Sequence, residues 1–164
     1  MLFRSAIAEV RQALVILRPP LLESAGLQAA LDNELHSRRT DAGDVALVLA
    51  VQPGAQDCRW PADVEYAAFM VAREALSNAL LHARASQVRM EIHGDADRLQ
   101  LSVQDDGIGL SDGLAQGRPG HLGMVGMRER ALAIGARLTV AGGPDGGTHV
   151  TLVWDALTEG AGLS

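Results

Sequence analysis

Aromatic residues make up only 3% of this 164-residue chain, and its formal net charge is −6. Nucleic-acid binders carry a basic footprint, and single-strand binders add aromatic stacking platforms. Both are missing, which argues against a nucleic-acid partner. Cysteine is nearly absent. The single Cys58 permits neither a disulfide within the chain nor a cysteine-based zinc site, and a reducing compartment fits. Long apolar runs are missing too: VALVLAV at 45–51 is far shorter than a membrane span. Arg4, Glu9 and Arg11 interrupt the N-terminal stretch where a secretory signal would keep an apolar core. What the chain does have is 48% hydrophobic residues, enough for one domain with a real core, with an N-terminal appendage.

Phe3, Ile7, Val10, Leu14 and Leu17 alternate at spacings of four and three. That is a heptad seam, suited to a partner helix, and equally the buried stripe of an ordinary amphipathic helix. Pro19 and Pro20 end this helix, and a turn reaches Gly26. LQAALDNELHSRR is helical again, with Leu27, Ala30, Leu31 and Leu35 on one face, and TDAGD is a break. DVALVLAV (44–51) is a strand candidate and VQPGAQDCRW a loop. Pro61 suits the first turn of a long helix running to about His82, with Asp63 and Glu65 placed for its macrodipole.

Four further runs alternate apolar and polar residues: Val88/Met90/Ile92, Leu99/Leu101/Val103, Leu138/Val140 and Val150/Leu152/Trp154. Alternation gives a sheet one buried and one wet face. The expected architecture is an α/β two-layer sandwich with helices on one face of the sheet, preceded by N-terminal helices. PDGG (144–147) reads as the hairpin turn between the last two strands. The tail after Trp154 has no core pattern.

The stretch DDGIGLSDGLAQGRPGHLGMVG (105–126) organises the chemistry. Asp105 ends an apolar strand run, and Gly107 and Gly109 follow at once. A carboxylate there can accept a hydrogen bond from the exocyclic amine of adenine, and the glycines let backbone approach the base. DDG is also ordinary turn chemistry. Gly113, Gly117, Pro119 and Gly120 make a loop that reads as a mobile cover hinged between Gly109 and Gly120. Gly123 and Gly126 bracket the start of the next helix, which is either a phosphate cradle at a helix N-terminus or a plain junction. Arg118 and His121, just before it, add positive charge or are simply solvated. Glu74 and Asn78 lie one helical turn apart in REALSNALLHA. Their oxygens suit magnesium, which takes one or two protein ligands and fills the rest with water and phosphate; a solvated helix face is the plain alternative. Thr148 enters the last strand, where its hydroxyl can reach a phosphate or is an ordinary strand threonine.

Taken as a set, REALSNALLHA, DDGIG, HLGMVGMRERA and GGTHV resemble the ATP-binding domain of bacterial sensor histidine kinases, within the ATPase superfamily shared with gyrase B, Hsp90 and MutL. LRPPLLESAGLQAAL and the GM-RERA helix are similar to the nitrate-sensor type. The resemblance runs from about residue 10 to 154. It implies a mixed, largely antiparallel sheet with helices on one face and ATP under a flexible lid. Asn78 matches the magnesium-binding asparagine and Glu74 the acidic residue that polarises metal-bound water or acts as base. Asp105 matches the adenine-binding aspartate. Gly107, Gly109, Gly123 and Gly126 match the glycines around the nucleotide, His121 and Met124 being counted with them, and Thr148 matches the threonine of the last motif. Leu81 departs from the pattern, because the family usually carries Lys or Arg there, in reach of phosphate. None of His36, His82, His93, His121 or His149 has the setting of the family's phosphoacceptor.

The expectation is therefore an ATP-binding catalytic domain that binds Mg-ATP and donates the γ-phosphate to a histidine outside this chain, for relay to a response regulator. Residues 1–40 would be the end of a dimerisation region, 41–154 the ATP-binding domain and 155–164 a flexible tail. The partners would be a response regulator, an acceptor-histidine region of the same or another chain, and a second copy through the N-terminal helix. No membrane contact is expected of this segment. The location would be cytoplasmic, including as the cytoplasmic part of a membrane-anchored sensor. The alternatives are a non-catalytic interaction module with a degenerate pocket, and a serine kinase of the anti-sigma-factor type.

Overall fold

The computed structural model describes residues 19–109, 121–143 and 146–156. The heptad stretch, the expected mobile cover, Pro144–Asp145 of the hairpin turn and the tail from 157 lie outside the described residues. Helices α1 (Pro20–Ala25) and α2 (Leu27–Ala42) lead into strand β1 (Ala46–Val51). After a short 3-10 turn come helix α3 (Ala62–His82), strands β2 (Gln87–Asp95) and β3 (Arg98–Asp105), helix α4 (His121–Ala133), and strands β4 (Arg137–Gly142) and β5 (Thr148–Asp155).

The five strands lie in the order β1-β2-β3-β5-β4. Only β1 and β2 run parallel, joined by the crossover through α3, and the other pairs are antiparallel. Alternation sorts the faces as read from the sequence. Val88, Met90, Ile92, Leu99, Leu101, Val103, Val150, Leu152 and Trp154 are all buried. The intervening Arg89, Glu91, Ser102, Gln104 and Thr151 stand on the other, wetter face. α3 covers the middle of the sheet, with α2 toward the β1 edge and α4 toward the β4 edge. Leucines such as Leu101 and Leu152 are effectively sealed from water, so truncating either to alanine costs about 2–5 kcal/mol.

Three local expectations are corrected. The turn expected before Gly26 is helical over Pro20–Ala25, because proline at the first helical position has its φ preset and lacks only an N–H that needs no partner there. α2 continues through the expected break as far as Ala42, and Gly43 stops it with φ 60°. Finally, α4 begins at His121, so Gly123 and Gly126 lie inside its first turns. Met127 and Ala131 bury one side of α4, and that packing outweighs the helix cost of about 1 kcal/mol per glycine.

The two ends of the sheet differ. At one end, Trp60 donates its ring N–H to the carbonyls of Asp95 (2.8 Å) and Arg98 (3.2 Å), closing the β2–β3 turn against the start of α3. There Glu65, expected only to favour the helix macrodipole, is buried. Its carboxylate accepts from Arg59 Nε (3.1 Å) and the Trp60 backbone N–H (3.1 Å). The same guanidinium donates to the Glu23 carbonyl at the end of α1 (3.0 Å). The other end gathers the start of β2, the end of β3, the start of β5 and the last turn of α3. Asp105, Gly107, Gly109 and Thr148 lie at this second end, Glu74 and Asn78 lie on α3 leading to it, and Gly123, Met124 and Gly126 lie in the first turns of α4.

Candidate functional site

Asp105 sits at the last position of β3 and is 7% exposed. Its Oδ1 accepts the backbone N–H groups of Gly107 (2.9 Å) and Thr148 (3.3 Å). Both bonds fall on one oxygen, and Oδ2 has no hydrogen-bond partner among the described residues. A carboxylate held on one oxygen retains the capacity to accept at the other. Thr148 meets the aspartate through its backbone N–H.

Glycine is required here for steric reasons. A Cβ on Gly147, which has φ +76°, would overlap the Asp105 carbonyl, and one on Gly107 would overlap the Ala83 carbonyl at the end of α3. The loop after β3 is thus pressed between α3 and the start of β5. Ile108 N–H donates to Ala83 O at 2.8 Å, and Gly109 comes close to Gly147.

Asp106 does a different job from its neighbour. A strand alternates its side chains, so the residue after buried Asp105 turns outward. Its carboxylate accepts from the Ser86 hydroxyl, from Ser86 N–H (2.7 Å) and from Gln87 N–H (2.9 Å). The Ser86 hydroxyl, followed by the Gln87 backbone, holds its pKa below the ordinary aspartate value. This tie between the α3–β2 turn and the site loop was missed in the sequence. The only available signal was the doublet itself, which forces one carboxylate outward if the other is buried.

Glu74 and Asn78 lie half-buried on successive turns of α3. Glu74 is turned to the beginning of α4, where a Cβ on Gly123 would overlap its carboxylate. Gly123 is thus the point at which the first turn of α4 meets the acidic flank of α3, and the positive end of the α4 dipole favours negative charge there. The structure brings Glu74 and Gly123 together, and Asp105 with Gly107 and Thr148.

Three other candidates are less tightly tied to the site. Met124 is half-buried and packs against the hydrophobic core. A Cβ on Gly126 would meet nothing within 4 Å, so no contact within the described protein requires glycine there. His121 opens α4, and its side chain, like Arg118, lies outside the described part of the structure. Leu81, at the position where the resembled family usually carries a cation, is 74% exposed on the last turn of α3.

Residues 63–158 match the family of histidine kinase-, DNA gyrase B- and HSP90-like ATPases. The chain is 33% identical over 148 residues to an uncharacterized sensor-like histidine kinase of Chloroflexus aurantiacus, covering 88% of this chain and 25% of that protein. It is 29% identical over 156 residues to the signal transduction histidine-protein kinase/phosphatase DegS of Brevibacillus brevis, covering 95% of this chain and 39% of that one. It therefore spans well under half the length of these two relatives. The histidine kinase domain of the blue-light activated histidine kinase of Erythrobacter litoralis superposes with a TM-score of 0.65 at 24% identity, covering 81% of this chain and 62% of that one, which bears out the expected fold. On the family match, which takes in more than half of the sequence, the chain belongs to the histidine kinase-, DNA gyrase B- and HSP90-like ATPases and carries their ATP-binding domain.

Proposed function

We propose that this chain holds Mg-ATP between α3, the end of β3 and the first turns of α4, and delivers its γ-phosphate to a histidine outside the chain. The observation that carries this reading is Asp105, a buried carboxylate with one oxygen fixed by Gly107 and Thr148 and the other without a described partner. Oδ2 accepts the exocyclic amine of adenine. Guanine presents a carbonyl oxygen at that place and is rejected. Gly107 and Gly109 let the base approach the backbone. Toward the phosphates, Asn78 and Glu74 offer two oxygen ligands, which suits magnesium completed by water and phosphate oxygens. His121, Gly123, Met124 and Gly126 flank the phosphates at the start of α4, whose dipole favours their charge.

Phosphoryl transfer asks the protein mainly for positioning and charge neutralisation. The metal, when bound, neutralises charge on the phosphates. Glu74 would orient water on a bound magnesium ion, the α4 N-terminus would face the phosphate oxygens, and the attacking imidazole comes from another region or chain. The imidazole nitrogen bonds the γ-phosphorus as its bond to the β–γ bridging oxygen breaks and ADP leaves; a carboxylate oxygen of a response-regulator aspartate then takes the phosphoryl group as the P–N bond breaks and frees the imidazole. Both relatives are named as histidine kinases, which favours this reading over a serine kinase or an inactive interaction module. The LRPP segment and the GM-RERA helix support the nitrate-sensor type. Residues 1–40 belong, in this reading, to the end of a dimerisation region, and the segment works in the cytoplasm.

The test is incubation of the chain with γ-labelled ATP and magnesium, together with equilibrium binding. Saturable ATP binding without stable label on the chain is expected. Acid-labile label on a histidine of this chain would overturn the assignment of an external acceptor. Absence of ATP binding would overturn the reading as a whole.

A further inference from the structure

Among the described residues only Asp57 and Arg84 hold a positive φ without being glycine. Arg84 has φ 50° and directly follows Ala83, the residue that caps the C-terminus of α3. Glycine is favoured at this helix-ending position because a Cβ strains the left-handed conformation. A side chain kept at a strained position beside a site invites a functional explanation.

Arg84 is held at the rim of the site. The residue before it accepts the Ile108 N–H through Ala83 O (2.8 Å). The residues after it, Ser86 and Gln87, donate to the Asp106 carboxylate. The short turn carrying Arg84 is therefore fastened on both sides to the loop that follows Asp105.

Its charge also has no partner among the described residues. Arg84 is exposed and makes no hydrogen bond or ion pair among the described residues. The other cations nearby on these helices are engaged or averted. Arg73 is paired with Glu34 at 3.7 Å, and Arg130 lies over the Tyr66 ring at 5.7 Å. Arg128, five residues beyond Gly123 on α4, falls on the opposite flank of that helix from Gly123. Meanwhile the described carboxylates Glu74 and Asp105 face the site, and a polyphosphate would add more negative charge. Asn78 lies one turn before the end of α3 and Arg84 just past its cap, a separation that an extended arginine and a phosphate chain can span from the two sides.

We infer that Arg84 is a phosphate-binding residue, its guanidinium closing on the anionic chain of a nucleotide whose base lies at Asp105. This rests on the nucleotide reading above and adds a contact to it. The competing explanation is structural: a cation just past a helix C-terminus also favours the helix dipole.

The two roles separate in Arg84→Gly, with Arg84→Asn as a second variant whose side chain tolerates the same backbone. ATP and adenosine are titrated calorimetrically into the native chain and both variants, and each protein is melted. Arg84→Gly is expected to melt about 2 °C higher through relief of strain. Both variants should bind ATP about tenfold more weakly, the loss of one charge-assisted hydrogen bond. Adenosine affinity should change by less than about twofold, since it carries no phosphate. Unchanged ATP affinity in both variants would overturn the assignment, and so would equal losses for ATP and adenosine. If the native chain takes up no ATP, the nucleotide reading falls and this inference with it. If the native chain binds and the variants bind equally well, only the arginine assignment falls.

Discussion

Two acidic side chains are buried among the described residues, Glu65 and Asp105, and they mark opposite ends of the same sheet. Glu65 is satisfied from within the protein. It takes Arg59 and the Trp60 N–H, and Arg59 in turn holds the end of α1. Among the described residues Asp105 meets no cation, and both of its hydrogen bonds fall on one oxygen. Burying a carboxylate is costly unless its oxygens find partners. A carboxylate completed by its own protein holds structure together, whereas one left with an open oxygen is set up for a ligand. In the function proposed above, the first end of the sheet is a clamp and the second is a receptor.

The largest effect on stability expected to sharpen this contrast is at the clamp. Glu65→Ala strands the Arg59 guanidinium and the Trp60 N–H. Because the Arg59 side chain is 48% exposed, water recovers part of the loss, and the expected destabilisation is about 2 kcal/mol. It would be read from the urea midpoint, with ATP affinity of the folded protein unchanged. A variant as stable as the parent would show that the clamp does not hold α1. A smaller effect belongs to the receptor end. Leu81→Lys places a cation on the exposed last turn of α3, and ATP affinity should rise about threefold with little change for adenosine. Equal gains for both ligands would break the link between that turn and the phosphates.

The smallest effect concerns pH. Asp106 has a depressed pKa because Ser86 and Gln87 donate to its ionised form. The unfolded chain therefore takes up this proton at higher pH than the folded one. The stabilisation is complete above the ordinary aspartate value and fades as pH falls through the depressed folded value. Carboxyl-carbon NMR should show Asp106 titrating below the normal aspartate range, and Asp106→Asn should remove that part of the acid sensitivity. A normal titration would mean that the tie to Ser86 is not made in solution.

Much of the receptor end was legible in the sequence, because its cues are local. A carboxylate at the end of an alternating run must lie at a strand terminus, and Glu74 and Asn78 share a helix flank by spacing alone. The sheet was legible for the same reason. The clamp was not. An acidic residue in the first turn of a helix reads as a partner for the dipole, and nothing local says that Arg59 and the end of α1 will fold over it. The helical state of Pro20–Ala25 was hidden by the double proline, which reads equally well as a stop and as a start. Asp106 illustrates the same limit from the other side, since its partners Ser86 and Gln87 arrive from a different element.

The contrast between the two carboxylates is tested most directly by titrating Mg-ATP and Mg-GTP into the native chain and into Asp105→Asn, with thermal melting alongside. The account predicts that the native chain takes ATP in preference to GTP. Asp105→Asn should lose about a hundredfold in ATP affinity while its melting temperature stays within a few degrees of the parent. Undiminished ATP binding by Asp105→Asn would contradict it. So would a collapse of the fold without Asp105, for that carboxylate would then be a clamp like Glu65.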